Sequence, residues 1–191
     1  MTELLTYLHE IYPLSEPLKE YLSEKLIRKE IPKKDFILKK GRVCEDIYFI
    51  EKGLVRCYHI DENEKDEKEI TDWFMSERDV IISVESFLEQ TPSEEYILAM
   101  EDCILYSISF KELEYAYETF RDFNIHGRKI TGTYYLQSIK REKYLKKPAP
   151  ERYKFMMDHQ PQLILRVPSK YIASYLGIDE ATLSRIRGGK Y

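Results

Sequence analysis

The amino-acid sequence predicts an α+β fold: an antiparallel β-roll, that is, a jelly-roll-like double-stranded β-helix, with helices before and after it. Three observations lead to this prediction. Residues 30–109 consist of short β-branched or aromatic runs separated by turn signals. Helical periodicity precedes and follows this stretch. Basic residues are concentrated after residue 120, which sets the C-terminal region apart from the roll.

The N-terminal residues 3–29 have helical periodicity. Pro13 interrupts the pattern, and Ser15 can cap a second helix. Leu18 and Leu22 recur at helical spacing in that second helix. We therefore expect two helices before the roll.

Seven candidate strands follow, at the spacing of about 8–12 residues that is typical of an antiparallel roll, barrel or sandwich. They cover residues 35–38, 46–50, 54–60, 69–74, 79–82, 95–99 and 103–109. The polar loop Asp61–Lys68 is among the turn signals that separate them. Residues 47–60 predict a hairpin that turns at Gly53, because glycine adopts backbone conformations that other residues resist.

A long helix is predicted from Phe123 to about Lys146, where Pro148 and Pro150 end it. It has two apolar stripes, one with Ile125, Gly132, Leu136 and Ile139 and the other with Phe123, Ile130, Tyr134 and Tyr144. A helix that is apolar on two sides must be covered on two sides. We expect one cover to be the chain's own roll. The other is expected to be a second copy, contacted through Ile125, Ile130, Tyr134, Leu136 and Ile139. Packing of both stripes within one monomer is the alternative.

The charge of the chain is distributed unevenly. Residues 1–120 carry 15 Lys and Arg against 28 Asp and Glu, a net charge of −13, whereas residues 121–191 carry 15 against 6, a net charge of +9. An acidic body with a basic C-terminal region is expected when only that region approaches nucleic acid.

Several classes of protein are excluded by what the sequence lacks. The three cysteines and four histidines form no CxxC, HxH or HExxH pattern, so we expect no disulfide framework, metal site or identifiable cofactor. The N-terminus MTELLTYLHEIYPL lacks the features of a signal peptide. No apolar run approaches the roughly 18 residues that span a bilayer. These features indicate a cytoplasmic protein without membrane contact and not an enzyme.

The segment SKYIASYLGIDEATLSRIRGG, residues 169–189, predicts two short helices that meet at a turn. Ala173 lies where the helices touch, and Gly177 lies at the turn, where a left-handed conformation is needed. Asp179 can cap the second helix, and Pro168 helps to start the first. The inner faces are expected to be lined by Ile172, Leu176, Ile178, Leu183 and Ile186. A small residue, a glycine four later and a hydrophobic residue six after that is the helix-turn-helix spacing.

The second helix of this motif is expected to enter the major groove of double-stranded DNA. Its exposed face would show Glu180, Ala181, Ser184, Arg185 and Arg187. Arg185 is assigned to a base contact, because its guanidinium fork can bond guanine O6 and N7 together, and Ala181 could touch a thymine methyl. Phosphate contacts orient a protein without specifying sequence. They are expected from Ser169, Lys170, Thr182 and Arg187.

With these residues identified, the chain resembles the Crp/Fnr family of bacterial regulators over nearly its whole length. The residues GRVCEDIYFIEKGLVRCYHIDENEKDEKEI (41–70), with turn glycines at Gly41 and Gly53, look like the β-roll core of the family. The long helix is similar to its dimerisation helix, and LGIDEATLSRIR (176–187) looks like its recognition segment.

The resemblance implies three parts and a function. The parts are a cyclic-nucleotide-binding-like effector domain over residues 1–120, a dimerisation helix over 121–147 and a helix-turn-helix DNA-binding domain over 148–191. The implied function is transcription regulation by a homodimer on a near-palindromic site, with RNA polymerase as a partner. The chain departs from the family pattern in leaving no room for a β-hairpin wing before Tyr191.

Further departures concern the effector pocket. Members that bind cyclic nucleotides have a Gly-Glu pair, whose glutamate holds the ribose, and an Arg-Ser or Arg-Thr pair, whose arginine neutralises the phosphate. The first place is here taken by Ser83, Val84, Glu85 and Ser86, and the second by Glu94, Glu95 and Tyr96. Carboxylates repel a phosphate, so the resemblance implies an altered pocket that does not bind cAMP, with an effector that the sequence does not name.

Two other sensor types and the familiar operator are not expected either. No cysteine precedes Cys44, as the iron–sulfur members require, and His59 is the only histidine considered as a haem ligand. The family's Arg-Glu start of the recognition helix is replaced by Glu180 and Ala181, although Arg185 is retained.

Two alternatives to a DNA-binding regulator were weighed. The chain could be a ligand-binding or protein-interaction module whose degenerate helix-turn-helix does not read DNA. The missing wing and the altered helix start favour that alternative, whereas Arg185, Arg187 and Lys190 count against it. A cupin-like enzyme would need clustered histidine and acidic metal ligands, which the sequence does not contain.

Overall fold

The computed structural model describes residues 1–61 and 68–190. Over these residues the chain forms eight strands and nine helices. The strands are β1 (Ile27–Ile31), β2 (Phe36–Leu38), β3 (Asp46–Lys52), β4 (Val55–Asp61), β5 (Lys68–Met75), β6 (Val80–Ile81), β7 (Glu95–Ala99) and β8 (Cys103–Ser109). The helices are α1 (Thr2–Ile11), α2 (Glu16–Lys25), α3 (Val84–Glu89), α4 (Phe110–Thr119), α5 (Arg121–Leu145), α6 (Ala149–His159), α7 (Leu163–Arg166), α8 (Ser169–Leu176) and α9 (Glu180–Arg187).

The strands form two four-stranded sheets, with the orders β1-β8-β3-β6 and β2-β7-β4-β5. The pairs β1–β8, β3–β8, β3–β6 and β2–β7 are antiparallel. Sequential strands therefore alternate between sheets in several places, which is the topology of a roll. The predicted α+β fold with an antiparallel β-roll is confirmed.

All seven predicted strands are present, but the structure adds β1. The sequence prediction assigned residues 27–29 to a helix, because they follow residues that recur at helical spacing up to Leu26. Instead α2 ends at Lys25, and β1 pairs with β8 in the register Ile27↔Ser107. Long-range pairing has overridden local propensity here.

The predicted hairpin over residues 47–60 is wrong. β3 and β4 belong to different sheets, and β3 pairs with β6 and β8. Gly53 still makes the turn, with φ of 107°, but the turn carries the chain from one sheet to the other. A Cβ at this position would lie 2.6 Å from Sγ of Cys103, so only glycine fits there.

The described residues pack into two compact units. The roll unit comprises residues 1–57 and 74–133, and the C-terminal unit comprises residues 58–61, 68–73 and 134–190. The core of the roll unit includes Ile50, Leu54, Val55, Ile97 and Leu105, which are completely buried. The core of the C-terminal unit includes Met156, Leu163, Ile172, Leu176 and Leu183. The functional boundaries expected near residues 120 and 147 remain predictions.

The long helix predicted from Phe123 to about Lys146 is α5, which spans Arg121–Leu145. Among the described residues, no helix is both long enough and apolar enough to cross a bilayer.

Candidate functional site

The turn of the helix-turn-helix segment is closed by backbone hydrogen bonds. Gly177 has φ of 63°, as its position between α8 and α9 predicted. Its N–H donates to the Ser174 carbonyl, and the Ile178 N–H donates to the Ala173 carbonyl, each at 3.0 Å. This is a Schellman arrangement, in which a left-handed residue lets the chain turn sharply after a helix. The second helix therefore starts at a defined angle to the first.

The inner faces of the two helices pack as their spacing predicted. Ala173 is 2% exposed, so a larger side chain has no room there. Ile172, Leu176 and Leu183 are also buried, whereas Ile178 and Ile186 are half-buried.

Asp179 caps α9, as predicted. Its Oδ1 accepts a hydrogen bond from the Thr182 N–H at 2.6 Å, and its Oδ2 accepts one from the Thr182 hydroxyl at 3.2 Å. These bonds favour the ionised carboxylate and hold the pKa of Asp179 below its usual value. Arg185 then donates from Nη2 to the same hydroxyl at 2.9 Å. Thr182 is buried by these contacts, so the structure does not support its expected role as a phosphate contact.

The other predicted DNA-contacting residues lie on the surface. These exposed residues are Ser169, Lys170, Glu180, Ala181, Ser184, Arg185 and Arg187. Ser169, at the start of α8, accepts a hydrogen bond from Nη1 of Arg187 at 2.8 Å, so the start of one helix and the end of the next are adjacent.

Two arginines that the sequence analysis did not single out hold the C-terminal end of α8. Arg152 on α6 donates from Nη1 to the Leu176 carbonyl at 2.6 Å. Arg141 on α5 donates from Nη2 to the Tyr175 carbonyl at 3.1 Å, and its guanidinium lies 4.0 Å from the centre of the Tyr175 ring. Burial lowers the pKa of Arg141. Cations at a helix C-terminus stabilise it, because the free carbonyls there carry partial negative charge.

The β5 strand also contacts this motif. Arg141 donates from the same Nη2 to the Thr71 carbonyl at 3.1 Å. Ser174 on α8 bonds two backbone groups of β5, at Thr71 and Glu69. The first helix of the motif, α8, is therefore held by β5, by Arg141 on α5 and by the glycine turn that caps its own C-terminal end.

The predicted second-copy contacts on α5 divide into two groups. Leu136 is 57% exposed, and Tyr135, which the stripe analysis omitted, is 66% exposed. Ile125, Tyr134 and Ile139 are half-buried. Ile130 is half-buried as well and lines a cavity in the roll unit; its role in contacting a second copy stays a prediction.

The predicted effector-pocket residues lie around α3, but their side chains do not all face inward. Ser83 and Ser93 are buried, and their hydroxyl oxygens are 2.9 Å apart. Ser86 is buried as well, where it accepts from the Cys44 N–H and donates to the Thr91 carbonyl. Each of these hydroxyls is thus engaged within the protein.

The carboxylates expected at this pocket are placed differently from the prediction. The Glu94 side chain is 77% exposed and pairs with Lys40 at 2.9 Å, so it points away from the interior and cannot repel a ligand there. Val84 and Glu85 are exposed, and Glu95 and Tyr96 are half-buried on β7. The hydroxyl pair Ser83–Ser93, rather than a carboxylate pair, lies between α3 and β7.

Comparison with known proteins identifies the architecture. Residues 28–120, just under half of the chain, match the family model described as the cyclic nucleotide-binding domain. No curated protein matches the chain in sequence. A Crp/Fnr transcriptional regulator from Eubacterium rectale superposes with a TM-score of 0.71 at 17% identity, covering 93% of this chain and 85% of that chain. The chain has the Crp/Fnr fold.

Two further Crp/Fnr-fold structures agree. A CooA variant from Carboxydothermus hydrogenoformans has a TM-score of 0.71 at 20% identity and covers 98% of this chain and 83% of that one. CLP from Xanthomonas campestris, a c-di-GMP-responsive global regulator, has a TM-score of 0.69 at 16% identity and covers 92% of this chain and 91% of that one. At identities this low, the superpositions show that the fold is shared.

Within this Crp/Fnr fold, one buried cation escaped the sequence analysis. Arg56 on β4 is completely buried in the roll unit. The family resemblance places the phosphate-binding arginine in the segment that forms β7, whereas Arg56 lies on β4. Val55 and Cys57 on either side of Arg56 are buried too. β4 therefore lacks the alternation of buried and exposed residues that would have shown from the sequence which way the Arg56 side chain points.

Proposed function

We propose that the chain is a homodimeric, sequence-specific DNA-binding transcription regulator of the Crp/Fnr type, which acts in the cytoplasm with RNA polymerase as a partner. The observation that carries this proposal is α9 itself. The helix is capped at Asp179 and packed through Leu183, while Ser184, Arg185 and Arg187 remain exposed. A helix held on one side and polar on the other can enter a major groove without rearranging.

Each residue of this interface has a separate role in the proposal. Arg185 reads a guanine, because a guanidinium can bond O6 and N7 together. Its present bond to the Thr182 hydroxyl holds it beside the start of the helix, where bases are approached. In this proposal Thr182 positions Arg185 and does not itself contact a phosphate.

Phosphate binding is assigned to Ser169, Lys170 and Arg187. Ser169 and Arg187 are already within hydrogen-bond distance of each other, so one phosphate could bridge them. The net charge of +9 over residues 121–191 favours approach of this region to a polyanion.

Dimerisation is proposed through the exposed face of α5. Tyr135 and Leu136 are large apolar side chains that water covers in the single chain, and Ile139 is on the same face one turn further on. A second copy of the helix would remove them from water. Two copies would also present two recognition helices to the two halves of a palindrome.

The roll is proposed to have an altered effector pocket that does not respond to cAMP. None of the seven predicted pocket residues is cationic, and the two buried hydroxyls at Ser83 and Ser93 bond each other. CLP responds to c-di-GMP. That ligand also carries phosphates, and proteins bind phosphates most strongly through cationic side chains.

The test is a selection of genomic fragments by the purified full chain, with Arg185→Ala in parallel. We expect the wild type to enrich a short inverted repeat and Arg185→Ala to lose base preference at one position in each half-site. That loss corresponds to about 1–3 kcal/mol of discrimination. Arg28→Ala, on exposed β1, is the matched control, because it removes the same charge from the roll unit.

The outcomes separate the proposal from its alternative. Enrichment by the wild type and by Arg28→Ala, with altered selectivity in Arg185→Ala only, supports a sequence-reading regulator. A wild-type chain that shows no salt-dependent affinity for any fragment would instead favour a ligand-binding or protein-interaction module with a degenerate helix-turn-helix.

A further inference from the structure

A partly open cavity of about 110 Å³ lies in the roll unit, and none of its lining residues is among those assigned to the effector pocket. Its walls come from α1, α2, α4 and α5 and from strands β3, β6 and β8. Leu8, Leu22, Phe49, Tyr106, Leu113 and Ile130 are among the residues that line it. Helices and strands of one unit meet here without filling the space between them, although protein interiors are otherwise close-packed.

The one buried histidine in this wall does not make the cavity polar. His126 is completely buried, and its Nδ1 and Nε2 lie 2.8 Å and 2.9 Å from the carbonyl oxygens of Asp122 and Tyr12. Both ring nitrogens therefore have partners in the protein. Only the carbon atoms of the imidazole ring remain to face a cavity occupant. The centroid of this ring lies 6.2 Å from the centroid of the Phe123 ring, which also lines the cavity.

The size and the lining together define the occupant. An apolar cavity of roughly 150 Å³ takes up benzene, and the volume of about 110 Å³ here is of the same order, whereas water needs two to four polar partners to occupy a cavity. The rings of Phe49, Tyr106 and Phe123 offer the edges and faces that an apolar ring packs against. Among the described residues, no Lys, Arg, Asp or Glu lines the cavity, so a charged molecule would lose hydration there without gaining an ion pair.

We propose that this cavity is a binding site for a small, uncharged, apolar molecule about the size of one six-membered ring. Ile130 and Phe123 place α5 in the wall, so an occupant contacts the helix that carries the proposed dimer contacts. Binding of such a molecule does not depend on the proposed DNA-binding function, and thermal unfolding measures it without DNA.

The experiment uses benzene as the probe and the full chain as the protein. Benzene is expected to raise the midpoint of thermal unfolding in a concentration-dependent way, because a ligand that binds only the folded state stabilises it. Benzoate, which has the same ring and a negative charge, is expected to leave the midpoint unchanged. Ile130→Phe fills the cavity and should weaken the apparent affinity for benzene about tenfold or more, a difference of about 1.4 kcal/mol.

The matched control is Leu165→Phe, which adds a ring at a 90% exposed aliphatic position of α7, away from the cavity, and should respond to benzene as the wild type does. If benzene does not raise the midpoint, if benzoate acts equally, or if Ile130→Phe responds unchanged, the proposal is overturned. Should Ile130→Phe fail to fold, crystals of the wild type under xenon pressure decide: xenon in the cavity supports the site, and its absence there overturns it.

Discussion

The hydroxyl of Ser174 lies between two backbone groups of β5: it accepts a hydrogen bond from the Thr71 N–H at 2.8 Å and donates one to the Glu69 carbonyl at 2.9 Å. β5 is the outer strand of its sheet. An outer strand presents backbone donors and acceptors along its edge, and here a side chain of the helix-turn-helix takes up two of them. The motif is thereby tied to β5.

We predict that Ser174→Ala lowers the free energy of unfolding by about 1–2 kcal/mol, because two hydrogen bonds are lost from a part-buried site. Amide hydrogen exchange at Thr71 should accelerate, since the partner of its N–H is removed. Ser174→Thr keeps the hydroxyl and should retain slow exchange. Ser138→Ala, which removes an exposed hydroxyl on α5, is the control and should change neither quantity. Unchanged exchange at Thr71 in Ser174→Ala would show that this contact contributes nothing in solution.

Two glycines in α5 should respond oppositely to the same substitution. A Cβ at Gly127 would lie 2.5 Å from Cε1 of Tyr117, whereas a Cβ at Gly132 would meet no atom within 4 Å. The Tyr117 ring is held against Phe123 at a centroid distance of 4.8 Å, so it cannot move aside freely. Gly127→Ala is expected to destabilise the chain by about 1–3 kcal/mol.

Gly132→Ala is the matched comparison and should be neutral or stabilising by up to about 1 kcal/mol, because alanine has the higher helix propensity. Urea denaturation of both variants measures the difference. Equal effects of the two substitutions would contradict the close approach of α4 and α5 at Gly127.

Replacing Leu136 by aspartate should weaken self-association. Leu136 is 57% exposed in the single chain, so the substitution disturbs the packing of the chain itself little but places a charge in the proposed dimer face. We expect the dimer dissociation constant, measured by analytical ultracentrifugation, to rise at least about tenfold, and DNA affinity to fall with it. Ser138→Asp introduces the same charge two residues away, on the opposite side of the helix, and should leave both values unchanged. A Leu136→Asp chain that is still dimeric at low micromolar concentration would exclude this face.

The cap of α9 should make part of the stability depend on pH. The pKa of Asp179 is lowered by its bonds to Thr182, so the folded state favours the ionised carboxylate. A lowered pKa in the folded state means that this stabilisation is complete above the pKa of the unfolded carboxyl, about 3.9, and is lost as the pH falls through the folded-state value. Thermal unfolding between pH 6 and pH 3 should therefore show a smaller decline for Asp179→Asn than for the wild type.

Asparagine is the informative replacement because it also caps helices well but does not titrate in this range. Asp179→Ala should lose the cap at every pH. Identical pH profiles for the wild type and Asp179→Asn would mean that the carboxylate makes no special contribution.

Much of the fold could be predicted from the sequence because the governing constraints are local. A turn glycine such as Gly177, a cap such as Asp179 and a small contact residue such as Ala173 are each required by the backbone within a few residues. The short apolar runs of the roll and the positive charge of the C-terminal region are also readable from composition and order alone.

The features that only the tertiary structure decided depend on residues far apart in sequence. β1 is a strand because β8 pairs with it, and Ser83 and Ser93 meet because two segments of the roll fold onto each other. Ile130 joins the wall of a cavity in the roll unit for the same reason. Periodicity shows that a helix has two apolar sides, but which side the protein itself covers is set by packing, since apolar contacts carry no direction of their own.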